Sequence, residues 1–239
     1  MNVFYCPEAV LNEDCTLDEV ESGHITRVLR KREGEELYIF DGKGGLFDAR
    51  IVSIGKRTVN IHIARLVKLE DDNGPRLHMA IALPKNIERF EWFVEKATEI
   101  GIAEITPLIC QHSERRELRL DRIEKILVSA CKQSLHLRLP RVNEPVKLDE
   151  FVVGIDRDVR KYIAYCEDGA IYFKDAYHGG FDAVVMIGPE GDFSKEEVLL
   201  AVANEFEIVS LGQSRLRLET AGLYSVTAFN LVNERTKGE

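Results

Sequence analysis

The chain has 239 residues, 45% of them hydrophobic and 31% charged, with a formal net charge of −9. This length and apolar share suit one large domain or two modest ones with real cores, and the mixed charge argues against global disorder. No run approaches eighteen consecutive apolar residues, and MNVFYCPEAV has neither a basic start nor a long apolar stretch. Neither a membrane span nor a signal peptide is expected, and the expected location is the cytoplasm.

The first seventy residues read as β. Residues 36–40 (ELYIF), 46–54 (LFDARIVSI) and 58–67 (TVNIHIARLV) are predicted strands, and DGKGG at 41–45 is a turn by composition. The third alternates, with Val59, Ile61 and Ile63 on one face and Thr58, Asn60 and His62 on the other, as a half-buried strand does. Short strands and glycine turns suggest a small barrel. Residues 70–75 (EDDNGP) have the character of a linker, so the domains are placed at 1–71 and 72–239.

Beyond the linker the period changes. HMAIAL (78–83) is a predicted strand leading into a helix over Asn86–Ile100, ended by Gly101. Ile87, Phe90, Val94 and Ala97 recur at helical spacing. EITPLI (104–109) is a second strand. A helix is predicted to begin at Asp121, with Glu124 completing a capping box. Further strands are YIAYC (162–166), AVVMI (183–187) and EIVSL (207–211). Ser194 to Glu197 is another capping box, and the last helix runs over about Glu219–Asn233. Strands alternating with helices predict an α/β domain with a largely parallel sheet.

Five cysteines at wide spacing include no CxxC pair, so reduced, mostly buried thiols are expected and no metal. The acidic total hides basic stretches. His112–Arg141 carries eight Lys/Arg against four Asp/Glu, and His24, Arg27, Arg30, Lys31 and Arg32 form a second cluster. Such local faces suit phosphate, although ordinary helix-face ion pairs would look the same.

Two loops draw attention. AVVMI ends in Gly188-Pro189-Glu190-Gly191 before the helix capped by Ser194, and EIVSL ends at Leu211-Gly212 before QSRLRLETAG. Ligands of open α/β sheets bind at the carboxyl ends of strands, and glycines let backbone amides approach them. GxGxxG is absent, which excludes a Rossmann fingerprint. Arg215, Arg217 and Glu219 crowd the approach to the last helix. Glu219 and Thr220 have a plainer reading as helix-end residues, and Arg217 as a surface partner of Glu219.

IGPEGDFSKEE followed by LGQSRLRLETA resembles the RsmE family of 16S rRNA uracil-N3 methyltransferases, in the SPOUT superfamily. ALPKNIERFEWFVEKATEIGIAEITPL (82–108), KQS (132–134), and HITRVLR (24–30) with FDGKGG (40–45) extend the resemblance over nearly the whole chain. The departures are Asp192 for a glycine, His112 for a frequent arginine, Lys132 for the Glu of EQS, and Leu135-His136 for Gly-Arg. The resemblance implies a PUA-like barrel and an α/β SPOUT domain with a trefoil knot, a homodimer, and S-adenosyl-L-methionine as cofactor. It places Leu83, Gly188, Pro189, Glu190, Gly191, Leu211, Gly212, Leu216, Glu219 and Thr220 at the cofactor.

N3 of uridine is a poor nucleophile until its proton is removed or the resulting anion is stabilised. Arg217 is the candidate for the electrostatic role, because its guanidinium donates two hydrogen bonds and keeps its charge. Glu190 is a candidate base, or a carboxylate that holds its own loop. His24, Arg27, Arg30, Lys85, Arg115, Arg116 and Arg138 are candidate phosphate contacts on 16S rRNA or the assembled small subunit. Two other readings stay open: a non-catalytic RNA-binding assembly factor, and a SPOUT methyltransferase acting on another RNA.

Overall fold

In the computed structural model, residues 2–71, 73–156, 158–167 and 169–236 are described. They form two compact units, one of residues 1–73 and 128–139, the other of residues 74–127 and 140–239.

The first unit is built on five strands: β1 (Val3–Tyr5), β2 (Asp14–Leu17), β3 (Glu36–Phe40), β4 (Gly45–Ile54) and β5 (Val59–Leu69). Their order is β1-β3-β4-β5-β2, with β1 parallel to β3 and the other pairs antiparallel. Val59, Ile61 and Ile63 are fully buried while Asn60 and His62 are not, as the alternation predicts. They pack with Phe4, Leu17, Ile25, Leu37, Ile39 and Ile51. Each fully buried side chain of this size contributes roughly 1.5–3 kcal/mol. Cys6, just after β1, and Cys15, in β2, bring their sulfurs to 3.0 Å. The two edges of the sheet therefore curl towards each other.

Between β2 and β3 lie elements the alternation does not announce: α1 (Glu19–Gly23), capped by Asp18, and a π-helical turn over His24–Val28. Residues 128–139 count with this unit because Cys131 and Leu137 bury themselves with Val3, Phe40 and Leu46.

The second unit holds the parallel sheet. Its strands are β6 (Leu77–Ala82), β7 (Glu104–Ile109), β8 (Arg141–Val142), β9 (Val146–Lys147), β10 (Arg160–Ala164), β11 (Ile171–Tyr172), β12 (Ala183–Ile187) and β13 (Glu207–Ser210). The order is β11-β13-β10-β12-β6-β7-β8, with β9 also beside β7, and every pairing is parallel. The helices are α2 (Ile87–Ile100), α3 (Leu120–Ser134, whose last turns count with the first unit), α4 (Leu148–Gly154), α5 (Phe173–Ala176), α6 (Lys195–Ala203) and α7 (Leu218–Thr236). Among the described residues no helix is long and apolar enough to cross a membrane.

The local signals account for most boundaries. The Asn86 side chain accepts from the Glu88 amide at 3.0 Å, and α2 stops at Gly101. Ser194 and Glu197 form the reciprocal capping box of α6. The other Glu197 oxygen accepts from the Gln111 amide at 2.7 Å, tying the loop after β7 to α6. The capping box expected at Asp121 does not form. Helix α3 begins one residue earlier, and the Asp121 carboxylate is taken by the Arg119 guanidinium at 2.9 Å. Helix α7 runs against α2 and β6. Gly222 permits this: a Cβ there would stand 2.7 Å from the Phe93 ring and 2.9 Å from Ile81.

Candidate functional site

In the sheet order β13 and β12 are not neighbours, but both flank β10. The segments that leave the carboxyl ends of these three strands are therefore adjacent, where open α/β sheets bind ligands. They enclose a cavity of about 470 Å³. Gly188, Pro189, Glu190, Gly191, Leu211, Gly212, Leu216 and Arg217, all singled out in the sequence, line it together. Ala164, Tyr165 and Cys166, at the end of β10, complete it, as do Asp192 and Arg215. YIAYC is legible as a strand, but its place between the two glycine loops is not. Gly212 has φ +132° and nothing within 4 Å of where a Cβ would project, so the chain stays open beside the cavity.

Leu83, Glu219 and Thr220 are outside the lining. Leu83 is fully buried at the end of β6. Glu219 and Thr220 lie in the first turn of α7, where a carboxylate complements the helix dipole. The cation nearest Glu219 is Arg89, at 3.9 Å, rather than Arg217. Arg89 is also 3.9 Å from Glu190, whose carboxylate accepts from the Lys85 amide at 3.3 Å. Arg89 thus faces two carboxylates, one on the loop after β12 and one in the first turn of α7, and sequence reasoning missed it because its partners are more than 100 residues away. One Glu219 oxygen is buried without a hydrogen-bond partner. Arg217 is exposed at the rim.

Asp192 has φ +62°, in the left-handed region where glycine is at ease and Asp is tolerated better than most residues. Its amide donates to the Pro189 carbonyl at 2.9 Å, and its carboxylate accepts from the Phe193 amide at 2.8 Å. Burial raises the Asp192 carboxyl above the ordinary carboxylate range, against the opposing pull of the Phe193 amide, Arg215 and His112. His112 Nδ1 donates to the Asp192 carbonyl at 3.0 Å. The loop after β7 is therefore tied to the loop after β12 at Asp192.

A family model described as an RNA methyltransferase domain matches residues 72–230, well over half of the chain, and one described as an RNA methyltransferase PUA domain matches residues 17–64. The chain belongs to the RNA methyltransferase family. A crystal structure from Porphyromonas gingivalis, described as a probable rRNA-methyltransferase, is 36% identical, with 99% of this chain and 100% of that chain covered and a TM-score of 0.92. Ribosomal RNA small subunit methyltransferase E from Neisseria gonorrhoeae, solved bound to S-adenosyl methionine, is 28% identical over 98% of both chains, with a TM-score of 0.87. The Aquifex aeolicus protein named ribosomal RNA small subunit methyltransferase E is 28% identical over 228 residues, 92% of this chain and 95% of that one.

The cavity fits the methyl donor. Its volume is within the range of small-molecule sites, about 300–1,000 Å³. It offers apolar wall from Ile187, Val209 and Leu216 and open backbone at Gly212.

The methyltransferase distributes its candidate RNA residues over both units. In the first, His24 packs edge-on against Phe4 at 5.6 Å, and Arg27 and Arg30 are exposed. Arg138 is partly committed to the fold, since it donates to the Glu70 carbonyl at 3.2 Å and lies across Gly44. In the second, Lys85 pairs with Glu114 at 2.9 Å, which raises the Lys85 ammonium pKa. Arg115 donates to the Lys85 carbonyl at 3.4 Å, and Arg116 is exposed beside them. Lys132 is half-buried in the first unit, where it is bound to Glu21 through both carboxylate oxygens at 2.7 Å.

Proposed function

We propose that this methyltransferase acts on small-subunit ribosomal RNA, methylating N3 of a uridine near the 3′ end of the 16S molecule. The observation that carries the reading is the three-loop cavity, formed with both glycine loops intact and with the Arg217 guanidinium at its rim. The likeness to relatives named for small-subunit rRNA methylation supports it.

When bound, S-adenosyl-L-methionine supplies an already activated methyl group, so the protein's main task is alignment. The loops at 188–191 and 211–212 hold the donor through backbone and apolar contacts. Arg217 presents two N–H groups to the uracil oxygens and stabilises the charge that forms as N3 loses its proton. Glu190 is occupied by the Lys85 amide and faces Arg89, so its part is to fix the loop that carries it.

N3 lies on the pairing edge of the base, so the target must be unpaired or flipped out, at a cost of a few kcal/mol. Phosphate contacts from His24, Arg27 and Arg30, and from Lys85, Arg115 and Arg116, offset that cost. A homodimer, a trefoil knot around the cavity, a cytoplasmic location and the assembled small subunit as substrate complete the proposal.

The test is transfer of label from S-adenosylmethionine to small subunits lacking the modification, followed by mass-spectrometric mapping. 3-Methyluridine near the 3′ end of 16S rRNA is expected, together with a loss of about 100-fold or more in Arg217→Ala without a matching loss of donor affinity. Cofactor binding with no such nucleoside formed would overturn the substrate.

A further inference from the structure

Asp192 stands in the cavity wall on backbone whose positive φ suits glycine. An aspartate kept there is disfavoured sterically and by burial, so its side chain calls for a use. The carboxylate is fixed, not free to rotate: Oδ1 accepts from the Phe193 amide, while Oδ2 makes no hydrogen bond among the described residues. The other cavity carboxylate, Glu190, is already engaged by the Lys85 amide and faced by Arg89. Asp192 therefore offers the wall a second acidic group with one oxygen open to a ligand, with Arg215 on the same wall and His112 behind the loop.

We propose that the Asp192 carboxylate recognises the positive sulfonium of the methyl donor, so that S-adenosylmethionine is held in preference to S-adenosylhomocysteine, the product that has lost that charge. The inference rests on the donor reading of the cavity. Before transfer the ligand carries one more positive charge than afterwards, and a fixed carboxylate in a part-desolvated wall distinguishes the two states more strongly than water does. The consequence is weaker product inhibition than the same cavity with glycine at 192 would show.

The experiment is calorimetric titration of the wild type, Asp192→Gly and Asp192→Asn with S-adenosylmethionine and with S-adenosylhomocysteine. Glycine suits φ +62°, and asparagine keeps the bond to the Phe193 amide, so both variants retain the loop. Donor affinity is expected to fall about five- to tenfold in both, with product affinity changed less than about twofold. If the variants bind both ligands as the wild type does, or lose both equally, Asp192 does not read the charge. If its loss changes only the pH–rate profile and leaves the affinity ratio intact, the carboxylate serves the proton instead and the proposal fails. A wild type that binds neither ligand would overturn the donor reading itself.

Discussion

The Lys132 ammonium lies 2.7 Å from both oxygens of Glu21. The Glu21 side chain is 4% exposed and that of Lys132 is 21% exposed. Lys132 also sits 5.3 Å over the Phe4 ring. Two unit charges about 4 Å apart attract by about 4 kcal/mol at an effective dielectric of about 20, but desolvation cancels much of that. The pair adds little net stability, whereas breaking it is costly. Lys132→Ala leaves a carboxylate buried without a counter-charge, a loss of about 3–5 kcal/mol in such cases. Partial solvent access to Lys132 points to the low end, about 3 kcal/mol. Lys132→Glu should cost more, because it sets two carboxylates against each other. The reversed pair, Glu21→Lys with Lys132→Glu, should recover most of the loss. Urea unfolding followed by circular dichroism measures each arm, and the double-mutant cycle isolates the coupling. A Lys132→Ala loss below about 0.5 kcal/mol, or a reversed pair no better than Lys132→Glu alone, would refute the reasoning.

Cys166 is exposed and lines the cavity, while the other four cysteines are buried or half-buried. Iodoacetamide should label it first, and S-adenosylmethionine should slow that labelling; peptide mapping with no protection would place the donor elsewhere. His78 is held below its ordinary pKa of 6.5 chiefly by burial, with Thr106 at 2.7 Å as its partner. Above about pH 6.5 both folded and unfolded chains carry it neutral. Below that the unfolded chain binds the proton first, so stability falls with pH until the folded His78 also titrates. His78→Gln should flatten that decline in urea midpoints taken between about pH 7.5 and 5, and an unchanged slope would assign it to other groups. Gly222→Ala gains about 1 kcal/mol of helix propensity but drives a methyl into Phe93 and Ile81. Overpacking of about 1–3 kcal/mol should leave it net destabilised in thermal melts, and a stabilised variant would show that α7 does not need the close approach.

The sequence alone determined the elements whose signals are local. Val59, Ile61 and Ile63 declared a half-buried strand, Asn86 and Gly101 bounded α2, and the Ser194–Glu197 box opened α6. It also marked the two glycine loops, because ligands of open α/β sheets bind at strand carboxyl ends and glycine lets backbone amides approach them. Short elements were illegible: β1, β2, β8, β9 and β11 have two to four residues, too few to show a period. Asp121 misled because Arg119, two residues away, competes for its carboxylate.

Only the tertiary structure decided that β10 lies between β12 and β13, and so brought Tyr165 and Cys166 to the cavity. It alone set Arg89 opposite Glu190 and Glu219, and Lys132 against Glu21 across 111 residues of chain. Periodicity records which face of an element is buried. It carries nothing about which distant element covers that face, because strand order and charge pairing are settled by packing of the whole chain.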